Sequence, residues 1–480
     1  MPYQSLREYL DALEARGLLV RVQEELSPVL EIPALLLEAM RVRGPALLFE
    51  RVKGYPEWRV VGNIFGSFKH LEVAFGTKHL EEIGSRILEP FKLVSSVSPP
   101  TSLLKTVLRM VKARPTKTRK GPVQENIDEN PSFSRIPAFK TWPKDAGRYL
   151  TFPIVVVREP DTGSYNLGVY RVMIVDDKRA IIHWQIHKRG AEAAEAYGSR
   201  RIPVAIVIGA QPSILFAGVA PIPKPIDKYV FASIIDGEGV KLVETHNGLL
   251  VPATAEVVLE GYVDLNETML EGPFGDHYGY YTPPARYPVF HLERMMYRTN
   301  PIYYGTIVGR PYCEDATLGK AVERMFLPVL KLILPEIVDI NLPAEGLFQG
   351  LAIVSIRKRY PGHAKKVMMA LWGLGQLALT KIIIVVDHDV NVHDMGQVIE
   401  AIAANVDPAR DVVIIPHAHV DVLDHSTPVP GYGSKMGIDA TRKLPEEYDG
   451  KEWPEKLTMD PKILEKIQKI ALKLKLYGGS

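Results

Sequence analysis

Leu6, Tyr9, Leu10 and Leu13 recur at i, i+3, i+4 and i+7, which predicts an amphipathic first helix that Gly17 ends. Apolar runs at 18–22, 45–49 and 58–62 predict short strands, and 32–41 a second helix, together a small α+β unit. Residues 105–120 are basic, but Leu103, Leu104, Val107, Leu108 and Val111 accompany them at helical spacing, so a solvated helix and linker is expected there. The Pro-rich, polar stretch 126–147 marks a domain boundary. From 149 to about 309 the period shortens. Runs at 153–157, 166–175, 180–186, 204–209, 214–219, 239–245, 256–263, 289–297 and 302–308 are separated by Gly, Pro or Asp, a pattern that predicts a closed barrel with few helices.

Beyond Arg310 the helical period returns. Val322, Met325, Phe326, Val329, Leu330 and Ile333 form a stripe that Pro328 is expected to kink. Strand 351–356, helix 363–379, strand 382–386, helix 397–404 and strand 412–415 then make a βαβαβ series, hence a parallel sheet. Ile463, Leu464, Ile467, Ile470, Ala471 and Leu474 give a sticky terminal helix, expected in the core or at a subunit contact.

Two stretches carry unusual chemistry for their setting. NLGVYRVMIVDDKRAIIHWQIHKR, from Asn166 to Arg189, reads as a β-hairpin turning at Asp176-Asp177-Lys178, yet it holds Asn166, Tyr170, Arg171, His183, Trp184, Gln185, His187, Lys188 and Arg189. LEGPFGDHYGYY, from Leu270 to Tyr281, sets Glu271 and Asp276 five apart in a glycine-rich loop, where neighbouring aromatics are expected to raise a carboxyl pKa. Each also has a plain structural reading: a wet sheet face, and a tight turn whose acids cap amides. APIPKPIDKY, from Ala220, is an extended segment able to line a ligand or simply to connect elements, and Lys435 lies in a Gly-rich loop that could meet a phosphate. A competing cluster comprises His417, His419, Asp421, Asp424 and His425 beside Asp387, His388, Asp389, His393 and Asp394. It is the arrangement of a metal-dependent hydrolase.

Composition narrows the partners. The 480 residues call for two to four domains. With 58 Lys and Arg against 56 Asp and Glu, the net charge of +2 gives no field that favours nucleic acid or a membrane. Cys313 is the single cysteine, which excludes an intramolecular disulfide and fits a reducing, cytoplasmic setting. The N-terminus lacks the basic start and apolar run of a signal peptide, and the longest apolar stretch is too mixed to span a bilayer.

Taken together and in order, NLGVYR, HWQIHKRG, APIP, VPATAEVVLEG, LEGPFGDHYGYY, GRP, PGHAKKVMM, DPARDVVI and GSKMGIDAT resemble the UbiD-type decarboxylases. The resemblance implies an N-terminal α+β domain (1–125), a central split β-barrel that binds flavin (126–312) and a C-terminal α/β domain with a dimerising helix (313–480). It implies a homodimer or homohexamer, prenylated FMN delivered by a flavin prenyltransferase, a divalent metal such as manganese, and potassium. The reaction implied is a reversible, non-oxidative decarboxylation of an α,β-unsaturated or aromatic acid, either a 4-hydroxybenzoate or trans-anhydromevalonate 5-phosphate. By motif position Arg171 holds the substrate carboxylate, Glu271 braces that Arg, and Asp276 donates the proton, kept protonated among Phe274, Tyr280 and Tyr281. Val169, Tyr170, Arg171, His183, Trp184, Gln185, Lys188, Arg189, Ala220, Pro221 and Lys435 fall at cofactor positions. Asn166 and His183 match two metal ligands, but Lys228 stands where the family has Glu, so either Asp227 takes over by a one-residue shift or Lys228 replaces the metal. Strict strand alternation also puts Asn166 and Arg171 on opposite faces, so either Gly168 marks a bulge or the two serve opposite sides of the cofactor. The alternatives are the hydrolase at His417 and His419, and a flavin-binding protein without decarboxylase activity.

Overall fold

A computed structural model of the chain describes residues 3–95, 111–184, 192, 196–197, 201–224, 226–310, 313–347, 349–455 and 457–474. Gln185, His187, Lys188, Arg189 and residues 105–110 of the basic segment lie outside them. The first helix, Leu6–Glu14, starts at Ser5, whose hydroxyl accepts from the Glu8 amide, and it buries the four apolar residues its spacing singles out. Leu19–Val22, Ala46–Phe49 and Arg59–Gly62 follow as strands. Their sheet takes its fourth strand from far away: Ile302–Tyr304 pairs in parallel with Arg59–Gly62. The run at 302–308 is therefore not a barrel strand. It is a short, fully buried one that ties the central segment to the N-terminal sheet.

The central sheet runs Tyr149–Leu150, Val172–Ile174, Arg179–Ile182, Ala285–Tyr297, Val257–Glu271, Arg201–Ile208, Ile154–Arg158 and Tyr165–Val169, with Asn126–Asp128 added on Ala285–Tyr297. Among the described residues no ladder joins the two ends of this path, so the barrel is split rather than closed. The chain itself crosses the gap. It leaves Tyr165–Val169, passes through Tyr170 and Arg171, and enters Val172–Ile174 at the other end. The single strand expected over 166–175 is thus two strands in different places, and this break, not a bulge, resolves the facing of Asn166 and Arg171. Gly168 still matters, because a Cβ there would lie 2.1 Å from the Tyr170 ring. The hairpin turn is as expected, with Asp176 Oδ1 accepting from the Lys178 and Arg179 amides.

The run at 214–219 is a helix, Pro212–Val219, and not a strand. Its face-blind burial erases the helical period, while Pro212 supplies the one helical signal, a proline in the first turn. A second helix, Lys228–Asp236, is capped by Asp227, which accepts from the Tyr229 and Val230 amides.

The C-terminal sheet has the order Ile337–Asn341, Leu351–Ile356, Ile382–Asp387, Tyr432–Asp439, Val412–His419. Its three inner strands are parallel and its edges antiparallel. The third parallel strand is therefore Tyr432–Asp439, where a Gly-rich loop was expected, and Val412–His419 is an antiparallel edge. The glycine is a packing device here: a Cβ on Gly437 would lie 2.5 Å from Met368 Sδ of the covering helix. The terminal helix, Pro461–Lys473, buries only Ala471 and leaves Ile463, Leu464, Ile467 and Ile470 exposed.

Candidate active site

The seam of the split barrel is where the polar groups converge. Arg171 lies between two strands, pinned by its own carbonyl, which accepts from the His183 amide at 3.1 Å. Its guanidinium forks onto Glu271, Nε to Oε1 at 2.9 Å and Nη2 to Oε2 at 2.9 Å. Nη1 donates to Asp276 Oδ2 at 2.6 Å, and Nη2 also reaches Thr282 Oγ1 at 3.1 Å. The Phe274 ring packs under the guanidinium, 4.5 Å from centroid to Cζ. The structure thus brings together the three residues expected to act on a carboxylate.

Glu271 ends the long strand Val257–Glu271, and Gly272, at φ +94°, turns the chain into the loop. Phe274–Gly275 pairs with Tyr281–Thr282, and the Asp276 amide donates to the Tyr280 carbonyl, which fixes Asp276 at the tip. Asp145 holds this loop from outside, accepting from the Gly275 amide at 2.9 Å and from the Trp142 amide at 2.8 Å. Gly275 has no room for a Cβ, which would stand 2.2 Å from the Trp142 indole. From the C-terminal domain, the His425 ring lies tilted against Tyr280, 4.2 Å between centroids, and meets the Tyr278 ring edge-on.

Burial alone would raise the Glu271 carboxyl, but His183 and Arg171 outweigh it and hold it at about 2. Burial would likewise raise Asp276. The hydrogen bond from His277 Nδ1 (2.7 Å) and the nearby charges of His277 and Arg171 instead keep it below the usual carboxylate range. This corrects the expectation of a shielded, protonated Asp276: Tyr280 and Tyr281 are exposed, and Phe274 serves Arg171. Burial depresses His277, yet Asp276, Asp315 and Asp421 together raise it. His277, Thr282 and Asp145 received no role from the sequence; adjacency of His277 to Asp276 was the one available hint.

A second group of residues surrounds the same seam. Asn166 is 1% exposed, and among the described residues neither its amide oxygen nor its amide nitrogen has a hydrogen-bond partner. His183 gives Nδ1 to Glu271 Oε2 at 3.1 Å, while Nε2 is buried without a partner, as is Trp184 Nε1. Native interiors seldom leave such atoms unpaired, so these are the marks of a ligand wall. Val169 belongs to it, packed 3.0 Å from where a Gly218 Cβ would lie, next to Ala220 and Pro221 at the end of Pro212–Val219. Such a wall fits a flavin with polar edges.

A divalent metal fits poorly. Both Asp227 oxygens are engaged, one capping its helix and the other accepting from the Tyr165 amide at 2.7 Å. Lys228 is buried with its ammonium on the Leu167 carbonyl at 2.7 Å. Lys435, expected near a phosphate, instead donates to the Ala378 and Thr380 carbonyls inside the C-terminal domain, where burial lowers it to about 8.

The hydrolase cluster does not assemble: among the described residues no three His, Cys, Asp or Glu side chains are placed to hold a metal ion. Its members disperse instead. His417 stacks on Tyr432, His393 pairs with Asp339, Asp387 and Asp389 pair with Arg442, and Asp424 pairs with Lys381.

A split barrel with an arginine and two carboxylates in its seam, between an α+β and an α/β unit, is the architecture of a carboxylate-processing enzyme. Three family models of 3-octaprenyl-4-hydroxybenzoate carboxy-lyase match it in succession: the N-terminal domain over residues 10–87, the Rift-related domain over 114–311 and the C-terminal domain over 316–440. The chain belongs to the UbiD family of carboxy-lyases, and it is a decarboxylase of that class. An uncharacterized protein of Aeropyrum pernix is 52% identical over 97% of this chain and 98% of its own. One of Archaeoglobus fulgidus is 49% identical over 98% of both. Among solved structures, vanillic acid decarboxylase of Sedimentibacter hydroxybenzoicus in closed form has a TM-score of 0.86 at 29% identity, covering 98% of this chain and 100% of that one. The UbiD-class enzyme HmfF of Pelotomaculum thermopropionicum, in complex with FMN, has a TM-score of 0.78 at 30% identity, covering 96% and 98%. An evolved dimeric form of HmfF was solved with prFMN, with a TM-score of 0.78 at 29% identity over 96% of this chain and 98% of that one. Among the described residues no helix is long and apolar enough to cross a membrane.

Proposed function

We propose that the chain is a prenylated-FMN-dependent, reversible decarboxylase of an α,β-unsaturated or aromatic carboxylic acid. The carrying observation is Arg171, a buried guanidinium shared between Glu271 and Asp276 at the break of the barrel. Bound at the wall of Asn166, Val169, Tyr170, His183, Trp184, Ala220 and Pro221, prenylated FMN supplies the electron sink for the carbon that loses CO2. The chain's own residues do the rest. Glu271 holds the guanidinium through two hydrogen bonds, and the Asp276 side is the exchangeable one, with a single bond to Nη1. A substrate carboxylate that takes Nη1 displaces Asp276, removing its cation and placing a second anion nearby. Both changes raise the Asp276 pKa. His277, hydrogen-bonded to Asp276 Oδ1, can then hand it the proton that replaces CO2.

The exposed apolar stripe of Pro461–Lys473 supports a homo-oligomer, the single cysteine supports a cytoplasmic setting, and the near-neutral charge suits a small-molecule substrate. Substrates of both expected types, 4-hydroxybenzoates and trans-anhydromevalonate 5-phosphate, offer the required carboxylate next to a C=C bond. Protein produced with a flavin prenyltransferase is expected to gain a flavin absorbance band and to release CO2 from one of them. A colourless protein that releases none refutes the reading.

A further inference from the structure

A cleft of about 210 Å³ opens between the first helix and the N-terminal sheet, and none of its walls belongs to the seam. The strand registers build it. Arg21 lies opposite Leu48, Leu48 opposite Val61, and Arg59 two residues before Val61, so alternation puts both arginines on one face. That is the face the helix Leu6–Glu14 covers, and Arg7, Asp11 and Glu14 line the cleft from its side at i, i+4 and i+7. Three guanidiniums therefore meet in one small space, and two of them bring their own anions. Arg7 forks onto Glu256 at 2.9 and 2.8 Å, and Arg21 onto Glu14 at 2.6 and 2.7 Å. Arg59 brings none. Among the described residues it has no ion pair, Nη2 donates only to the Asn300 carbonyl at 3.3 Å, and Nε is buried without an acceptor. Burial and the Arg7 charge beside it both disfavour this cation, and Glu50 and Glu256 offset them only in part.

We propose that this cleft is a second anion site, taking a small organic carboxylate whose oxygens accept from the open donors of Arg59. Guanidinium and carboxylate match as a two-bond fork, and the ligand becomes the counter-ion that Arg59 lacks in the protein. Asp11 selects among anions. It is exposed in the same wall, with no ion pair among the described residues, and it repels a dianion more than a monoanion. A ring-sized body fits the space, since a cavity of about 150 Å³ already holds benzene. Ile302 lines the cleft and Arg7 also donates to the Thr299 and Asn300 carbonyls, so the occupant ties the helix to the strand that completes the N-terminal sheet. The site stands apart from the decarboxylase reading and does not depend on it.

The full-length protein is titrated with 4-fluorobenzoate, and with 4-fluorobenzyl alcohol as the uncharged control, by fluorine NMR of the ligand. Arg171 can take a carboxylate too, so the readout is a difference between variants. Arg59→Met is expected to weaken one wild-type binding equivalent roughly 10- to 100-fold, as for loss of a charged hydrogen bond. Acetate is expected to displace that equivalent better than inorganic phosphate at alkaline pH, where phosphate is a dianion. Without ligand, Arg59→Met is expected to melt no lower than wild type, because the cation it removes has no carboxylate to strand. Wild-type crystals soaked in 4-bromobenzoate are expected to show a bromine anomalous peak between Leu10 and Arg59. Equal carboxylate binding by wild type and Arg59→Met, an alcohol bound as tightly as the carboxylate, phosphate outcompeting acetate, a lower melting point of the unliganded variant, or a bromine peak at the seam alone each overturns the proposal. All five leave the decarboxylase reading intact.

Discussion

One wall of the seam is electrically complete and the other is not. Around Arg171, two carboxylates, a hydroxyl and an aromatic face satisfy the guanidinium before any ligand arrives. Around Asn166, buried polar atoms of Asn166, His183 and Trp184 have no hydrogen-bond partner among the described residues, and the Lys228 ammonium nearby donates to the Leu167 carbonyl. The first wall is preorganised by its own ion pairs and yields one of them to the substrate. The second is shaped by the protein and leaves buried polar atoms for the cofactor to satisfy. A site built this way holds its catalytic charges rigid when empty, and gains its stability from the cofactor on the other side.

The sharpest way to break the comparison is Arg171→Ala. It strands Glu271 in the interior, so a loss of about 3–5 kcal/mol is expected in denaturant unfolding of the apoprotein, with decarboxylation abolished in CO2-release assays. Asp276→Asn should slow turnover roughly 10²–10⁴-fold, the range for a positioned proton donor, with flavin affinity unchanged; full turnover would remove Asp276 from the mechanism. Acid sharpens it further. Glu271 sits at about 2 when folded against an ordinary 4.5, so its stabilisation is complete above about pH 4.5 and lost as pH falls toward 2. Thermal melts between pH 6 and pH 2 should therefore drop more steeply in wild type than in Glu271→Gln. The smallest effect belongs to the incomplete wall. Asn166→Ala discards amide atoms that bond to nothing in the apoprotein, so apo stability should change by no more than about 1 kcal/mol while flavin affinity falls. A large apo destabilisation would show that Asn166 is structural.

Much of this was legible in the chain. The Leu6–Leu13 period gave its helix because that helix has one wet face and one dry face, and order-preserving motifs placed Arg171, Glu271 and Asp276 in one site. What stayed hidden has physical causes. Pro212–Val219 is buried all round, so no period survives to separate helix from strand. Tyr432–Asp439 reads as a loop because its Gly437 answers to a covering helix rather than to a turn. The break at Tyr170–Arg171 is invisible locally, since both halves are good strand and only the closing geometry of the barrel divides them. The charge state of Asp276 depended on His277 and Arg171 folding onto it, which no count of nearby aromatics could foretell.

The strand Ile302–Tyr304 has a consequence for how the chain is made. The N-terminal sheet begins within the first 20 residues, yet its edge strand Arg59–Gly62 waits for a partner more than two hundred residues downstream. On the ribosome, at roughly 5–20 residues per second, that edge stays open for about 10–50 seconds, a template for the wrong neighbour. Synthesis of the barrel closes it. The last strand to leave that segment is the one that finishes the first sheet, so a nascent chain stalled before residue 302 carries an unsealed N-terminal unit into the company of chaperones.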